Sequence, residues 1–322
     1  MSILLRLGIG GLIVGFALWL RGGAGDVAAA LSAAGWLGIV AVSLFHAVPM
    51  SLCGLAWRTA LPERMSGGAL TFVLARWVRD GVGQLFPFMP LGGEVVAARV
   101  LTTRGLAGST AAALTVVDIT AEVLSQAVFS LIGVAMWLHR HPAGMVMGPA
   151  GIGVALSLPM LGGLLLAQRL GMVRLLEKLA DRVMPDAWRT PGLSAPIHER
   201  IVAIYAERRR FLAATSIHLV AWIVATGEAW LALHLIGHPK GIGDVLAMES
   251  VVYAIRNAAF LIPGALGVQE GAYMLVGAAI GLPPDVALAV SLIKRGREVT
   301  LGTPALVTWQ WLGRRAKARA VG

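Results

Sequence analysis

Charged residues and cysteines are both scarce in this chain. Only 14% of its 322 residues are charged and 57% are hydrophobic, whereas soluble domains carry about 25% charged residues. A single cysteine, Cys53, excludes an intramolecular disulfide bond and a zinc site built from cysteines. Two stretches, 27–57 and 142–168, contain no Asp, Glu, Lys or Arg, and each exceeds the roughly 20 apolar residues that span a bilayer. The composition predicts a polytopic membrane protein with a single membrane domain over 1–322.

Signature motifs of enzymes are absent as well. The sequence has no Walker A loop, no His-Glu-x-x-His motif and no Gly-x-Ser-x-Gly motif. Three histidines, His46, His218 and His234, stand singly among apolar residues, which indicates packing rather than metal binding. We therefore expect no metal, no cofactor, no catalytic activity and no direct use of ATP.

Positive charge is gathered in a few loops and at the C-terminus. The formal net charge is +10, and the connector 169–210 holds nine Lys and Arg residues against five acidic ones. The positive-inside rule places this connector in the cytoplasm, and both termini then also lie there if the segments 66–101 and 245–281 each dip in and return without crossing. Apolar residues recur at helical spacing between 170 and 183, which predicts an amphipathic helix on the membrane surface. The distribution predicts contact with anionic phospholipid at the cytoplasmic face of the membrane, and no nucleic-acid binding.

Charge-poor segments predict an all-α membrane bundle with six full spans. These spans are 2–20, 28–57, 106–138, 143–168, 211–236 and 286–312. Two further segments, 66–101 and 245–281, contain glycines, prolines and charges. If both dip in and return without crossing, the two halves are inverted; if both cross, the chain has eight spans and parallel halves. The distribution of basic residues favours the inverted arrangement, because few of them then lie in outer loops.

The chain also repeats itself at an offset of 176 residues. Pro87-x6-Glu94 matches Pro263-x6-Glu270, and Asp118 corresponds to Lys294, so that a charge is kept while its sign changes. This match defines a first repeat over about 35–138 and a second over about 211–314. An interrupted apolar segment with ionisable residues, placed alike in two halves, is typical of a transporter binding site.

Each repeated segment carries residues that break a helix. They are Pro87, Pro90, Gly92 and Gly93 in the first segment, and Pro263, Gly264 and Gly267 in the second. Proline removes an amide donor and glycine permits a tight reversal. Broken backbone at membrane depth is tolerated only where it is buried in protein or lines a wet cavity. The segments therefore predict two re-entrant broken helices, and the alternative is a pair of kinked helices packed for structure alone.

Ionisable residues inside apolar segments are the candidate substrate-binding groups. Together with one glutamine they are Arg79, Glu94, Arg99, Asp118, Glu122, Arg256, Gln269, Glu270, Lys294 and Glu298. A charge at the bilayer centre costs about 2.5–3.5 kcal/mol on insertion scales, so such residues face the bundle interior or water and find partners. They could form a polar cavity at the repeat interface that receives a headgroup or a proton. The alternative is a set of structural ion pairs, such as Lys294 with Glu298 or Arg256 with Glu270.

Two motifs carry a resemblance to a known family. One is the run from Pro263 to Gly271, and the other is Arg76-Trp77-Val78-Arg79 followed by the run from Gly92 to Arg99. Over roughly 35–314 the chain resembles the transmembrane region of lysylphosphatidylglycerol synthases and its stand-alone, flippase-like relatives. The second motif looks most like the branch associated with bacterial hopanoid biosynthesis.

The resemblance implies that the protein moves or handles a lipid in a bacterial inner membrane. The late family motif commonly reads Pro-Gly-Gly-x-Gly-x-Arg-Glu, and here Ala265 replaces a glycine and Gln269 replaces the arginine. If that arginine contacts an anionic headgroup in relatives, the change favours a less charged amphiphile, such as a hopanoid. We therefore expect a flippase-like lipid transporter. A lipid-modifying membrane enzyme and a non-catalytic scaffold for enzymes of hopanoid or lipid synthesis are the alternatives.

Overall fold

The architecture was obtained from a computed structural model of the chain. It describes residues 24–62, 68–87, 91–140, 197–259 and 262–321. The predicted spans 2–20 and 143–168, the amphipathic helix at 170–183 and the helix-breaking Pro90 lie outside the described residues.

The described residues form helices joined by short turns, without a strand among them. The helices are α1 (Ala24–Ala60), α2 (Gly68–Leu85), α3 (Gly92–Thr102), α4 (Gly108–Arg140), α5 (Ile197–Ala206), α6 (Arg208–Ile236), α7 (Ile242–Ala258), α8 (Val268–Ala279) and α9 (Pro284–Val321). Three stretches are long and apolar enough to cross a membrane, namely Gly35–Ala60, Gly108–His139 and Arg208–Ile236. The predicted all-α membrane bundle is confirmed.

The ends of these helices follow from local sequence. In α1 the backbone at Gly35 leaves the helical region (φ 59°, ψ −171°), and the apolar span starts at this kink. Helix α9 begins at Pro284, where the missing amide donor costs nothing in the first turn. Four charges between Lys294 and Glu298 interrupt its apolar run. This interruption explains why α9 lacks a uniformly apolar window although the sequence predicted a span there.

Both repeated segments form a helix, a break and a second helix. Helix α2 ends at Leu85 and α3 starts at Gly92, while α7 ends at Ala258 and α8 starts at Val268. In each segment the two helices pack against each other, so each is a helical hairpin. The breaks contain left-handed backbone at Leu91, Gly264, Ala265 and Gly267.

The loops at the two ends of the second hairpin are in contact. Lys240 precedes α7, and its ammonium donates a hydrogen bond to the carbonyl of Gly281, which follows α8 (3.3 Å). The hairpin therefore starts and finishes at the same place in the fold.

The chain divides into two compact units. Unit 1 comprises Met1–Ala47, Ala127–Ser157 and Ile223–Thr300; unit 2 comprises Val48–Gln126, Leu158–Trp222 and Leu301–Gly322. Each unit has its own hydrophobic core. The largest buried side chains are Trp137 and Tyr273 in unit 1, and Trp57 and Phe72 in unit 2.

The division into units follows the sequence repeat. The boundary within α1, after Ala47, lies 175 residues before the boundary within α6, after Trp222. The boundary within α4, after Gln126, lies 174 residues before the boundary within α9, after Thr300. Unit 2 thus holds the α2–α3 hairpin with the first half of α4, and unit 1 holds the α7–α8 hairpin with the first half of α9. The orientation of the two repeats in the membrane stays a prediction.

Candidate functional site

Two arginines of α2, Arg76 and Arg79, donate hydrogen bonds to the carboxylates of unit 2. Arg76 donates hydrogen bonds to Asp80 one turn later (2.8 Å) and to Glu122 on α4 (2.7 and 3.1 Å), and more weakly to Asp118 (3.4 Å). Arg79 donates to Glu122 at 2.9 Å. Because Asp118 and Glu122 are four residues apart on a helix, both carboxylates face α2.

Arg79 also joins the two arms of the first hairpin. Its guanidinium donates to Glu94 on α3 at 3.1 and 3.2 Å. The backbones are close here, since a Cβ atom placed on Gly93 would lie 2.5 Å from the carbonyl oxygen of Arg79. A glycine at this position therefore lets α3 approach α2 closely enough for the ion pair.

The network of unit 2 runs from a partly exposed end to a buried end. The side chains of Asp80, Glu94 and Glu122 are 18%, 22% and 19% exposed. The carboxylate of Asp118, in contrast, is 1% exposed and lies 2.7 Å from Nε2 of His218 on α6. The partly exposed end is accessible to a ligand, whereas the buried end is not.

In unit 1 a lysine is enclosed by an acid and two aromatic rings. Lys294 on α9 donates to Glu249 on α7 at 2.5 Å, and the hydroxyl of Tyr273 on α8 donates to the same carboxylate. The ammonium lies 5.2 Å from the ring centroid of Tyr253 and 5.6 Å from that of Tyr273, within the range of cation–π attraction. These groups are almost fully buried, apart from the half-buried Tyr253.

Arg295 holds the break of the second hairpin. It donates to Glu270 and to Glu298, both at 3.1 Å, and to the carbonyl oxygen of Gly264 in the break at 2.9 Å. The amide of Gly267 in turn donates to Glu270 at 2.8 Å, so this carboxylate caps the start of α8. The polar groups that the break exposes are in this way partly satisfied by the protein itself.

A third group of charges in unit 1 surrounds Glu228 of α6. Arg297 donates to its carboxylate at 2.6 Å, and Nδ1 of His46 on α1 lies 2.7 Å from the other carboxylate oxygen. The same Nδ1 is 2.7 Å from Arg297, so it either donates to Glu228 or accepts from Arg297. Glu228 is fully buried and has a charged partner.

The structure changes the partners that the sequence suggested for the second repeat. Lys294 pairs with Glu249 rather than with Glu298, and Glu270 pairs with Arg295 rather than with Arg256. The guanidinium of Arg256 lies 5.3 Å from the ring centroid of Tyr253.

The two remaining candidates differ in burial. Gln269 is fully buried and donates to the hydroxyl of Ser291 at 2.8 Å, which is a packing contact within unit 1. Arg99 is half-buried in the last turn of α3.

Other members of the networks were not proposed as site residues from the sequence. They are His46, Arg76, Asp80, His218, Glu228, Glu249, Tyr253, Tyr273, Arg295 and Arg297. His46 and His218 were assigned to packing, yet each has a carboxylate partner. A signal for them exists in the sequence, because an ionisable residue within an apolar span needs a polar partner. Among the described residues, no three His, Cys, Asp or Glu side chains are grouped as a metal site would require.

Comparison with known proteins gives one family. A sequence model of the family described as "Lysylphosphatidylglycerol synthase TM region" matches residues 3–305. Neither a curated protein nor a solved structure matches the chain. The family match covers the hairpins, the charged networks and most of α9. The chain therefore belongs to the family of the lysylphosphatidylglycerol synthase transmembrane region.

Proposed function

We propose that this membrane protein binds an amphiphilic lipid and moves it across the bacterial cytoplasmic membrane without changing it chemically. The family takes its name from a region of a lipid synthase, which links the chain to membrane lipids. The sequence resemblance to the hopanoid-associated branch makes a hopanoid or a related amphiphile the first lipid to test.

The observation that carries this proposal is the pair of matched hairpins. Each hairpin lies within one unit, while the long helices run between units: α1 from unit 1 into unit 2, and α4 from unit 2 into unit 1. Helices α6 and α9 repeat this pattern around the second hairpin, with the units exchanged. This chain path is the one expected for two re-entrant broken helices in an inverted repeat. Many secondary transporters are built in this way.

The partly exposed end of the unit 2 network is the proposed headgroup site. Arg79 and Glu94 supply a donor and an acceptor there, and Glu122 and Asp80 supply further acceptors. Hydroxyl or amine groups of a polar headgroup can bond to such a set, while the tail stays in the lipid. In unit 1 the corresponding Glu270 is 6% exposed at its side chain and is already bonded to the break, so we assign it a supporting role.

The proposal is tested with purified protein and the lipids that it retains. We expect mass spectrometry to find one lipid enriched on the wild type and lost from the Glu94→Gln/Glu122→Gln variant, which removes two negative charges of the site and replaces one acceptor oxygen of each side chain by an amide donor. Glu199→Gln is the matched control, because this glutamate is exposed on α5 and outside the network.

Reconstitution then tests movement. Vesicles that contain the wild type should transfer the retained lipid between leaflets, and vesicles with the double variant should not. Thermal unfolding must show that both proteins are folded. Equal transfer by the wild type and the double variant contradicts the site, and a chemically altered lipid in the vesicles contradicts transport without chemistry.

A further inference from the structure

The charged network of unit 2 is not balanced. Hydrogen bonds join seven side chains, which are Arg76, Arg79, Asp80, Glu94, Asp118, Glu122 and His218. Four carboxylates thus face two guanidinium groups. If the imidazole is neutral, the formal charge of this network is −2, and if the imidazole is protonated, it is −1.

The corresponding charged groups of unit 1 come closer to a balance between carboxylates and cations. The four carboxylates, Glu228, Glu249, Glu270 and Glu298, pair with the three cations Lys294, Arg295 and Arg297. Arg256 adds a fourth positive charge that acts on Glu298. Counted by hydrogen bonds and ion pairs alone, these groups have a formal charge of −1, and with Arg256 they are neutral without any contribution from His46.

An excess of negative charge is costly at the buried end of the unit 2 network. Water can reach the partly exposed carboxylates, but Asp118 is 2% exposed. Its bond to Arg76 is long, at 3.4 Å, and Arg76 is shared with Asp80 and Glu122. A buried charge without a close partner is strongly destabilising, so Asp118 requires either a positive group nearby or a proton of its own.

His218 is placed to supply that charge. It is 1% exposed, and its Nε2 lies 2.7 Å from Asp118, the shortest bond that Asp118 makes among the described residues. Its Nδ1 makes no hydrogen bond in this part of the chain. The groups that act on the imidazole are Asp118 and Glu122 from α4 and Cys53 from α1, while Arg76 from α2 bonds the same two carboxylates.

We propose that the His218–Asp118 pair is a proton-binding site, in which His218 carries the proton that offsets the excess of carboxylates in the hydrogen-bonded network of unit 2. Resting on the function proposed above, we further infer that this proton is coupled to movement of the lipid. Bonds connect the two sites through Arg76, Glu122 and Arg79 to Glu94. A headgroup that bonds to Glu122 or Glu94 changes which carboxylates Arg76 and Arg79 bond to. The charge that acts on His218 changes as a result.

The first test measures the charge of His218 without any transport. The full chain is prepared in nanodiscs with 15N-labelled histidine and 13C-labelled cysteine. Since Cys53 is the single cysteine and lies beside the His218 ring, contact between the two labels identifies the His218 signals. We expect 15N shifts of an imidazolium near neutral pH in the wild type, and of a neutral ring in Asp118→Asn. A neutral ring in the wild type over the range from about pH 5 to 8 overturns the proton site.

The second test addresses the coupling. Lipid transfer in vesicles is compared with and without a pH gradient for the wild type, for His218→Gln and for His238→Gln, whose histidine is exposed in the loop after α6. We expect the gradient to change the transfer rate in the wild type and the control variant, with loss of this response in His218→Gln. Transfer by the wild type that is indifferent to the gradient overturns the coupling.

The two measurements separate the possible failures. If His218 is charged but no lipid moves under any condition, the proposed function fails while the proton site stands. If His218→Gln does not fold, the wild-type spectrum still decides the site, because its assignment does not depend on the variant.

Discussion

Lys294 and Glu249 form a buried ion pair within unit 1. Both side chains are nearly inaccessible, and the bond between them is supported by the hydroxyl of Tyr273. Removal of one partner from a buried ion pair typically costs about 3–5 kcal/mol, because the other charge stays buried without compensation. Replacement of both partners by apolar residues of similar size costs far less.

A double-mutant cycle should therefore show that Lys294 and Glu249 are energetically coupled. Lys294→Met and Glu249→Leu should each lower the free energy of unfolding by about 3 kcal/mol or more, whereas the double variant should be clearly more stable than either single variant. Denaturant unfolding in detergent micelles measures all four proteins. If the effects of the single substitutions simply add, the two groups are not an energetic pair.

The identity of the charged residues could be predicted from the sequence, but their partners could not. Charges within apolar spans stand out along the chain, and Glu122 and Glu298 were found in this way. The partner of a buried charge depends on how each helix is rotated about its axis. His46 and Arg297, which meet at 2.7 Å, are 251 positions apart, and no local pattern connects them. Arg295 and the carbonyl of Gly264 in the break of the second hairpin are likewise 31 positions apart.

Helix α3 lies against α2 at a distance that only a glycine permits. A Cβ atom on Gly93 would lie 2.5 Å from the carbonyl oxygen of Arg79, whereas a Cβ atom on Gly83 of α2 would meet nothing within 4 Å. We therefore expect Gly93→Ala to destabilise the protein by about 1–3 kcal/mol through forced separation of the two helices. Gly83→Ala should be neutral or stabilising by up to about 1 kcal/mol, because alanine favours the helix. Thermal unfolding of both variants checks this difference, and equal unfolding temperatures would contradict the close packing.

The two hairpins should respond differently to removal of their matched glutamates. Glu270 accepts bonds from Gly267 and Arg295 and is nearly buried, whereas Glu94 is partly exposed and bonds to Arg79. Glu270→Gln should therefore lower stability by about 1–3 kcal/mol, since it weakens a cap and an ion pair together. Glu94→Gln should change stability by less and lipid retention by more. Unfolding and lipid mass spectrometry on the same samples decide between the two effects, and the opposite ranking would move the headgroup site to unit 1.

The existence of the elements was more predictable than their lengths. Helices α1 and α6 contain the predicted spans 28–57 and 211–236, and α4 contains all but the first two residues of 106–138, because each of these spans is apolar with at most two charged residues. Helix α9 extends to Val321, beyond the predicted end at 312. Hydropathy predicts where a chain enters lipid, and it carries no information on how far a helix continues beyond it.

At the scale of the whole molecule, the repeat is visible in the division of the chain as well as in its sequence. The unit boundaries recur at almost the same offset as the matched prolines and glutamates, although no residue at these boundaries is repeated. Equivalent positions can nevertheless carry opposite charges, as Asp118 and Lys294 do. The consequence is that the hydrogen-bonded network of unit 2 carries more uncompensated carboxylates than that of unit 1, so the two halves share a chain path while the chemistry of their networks differs.

The re-entrant arrangement predicts which loops share a side of the membrane. In a Cys53→Ala background, single cysteines are introduced at His238, before the second hairpin, and at Pro284, the exposed first residue of α9 after it. Because Lys240 and Gly281 are in contact, we expect both cysteines to react with an impermeant thiol reagent from the same side, namely the outside of intact cells. A cysteine at Glu207, before α6, should react only after the cells are opened, and it serves as the control for sidedness. If the cysteines at 238 and 284 react from opposite sides, the hairpin crosses the membrane, the halves are parallel, and the inverted repeat that supports the transport proposal is wrong.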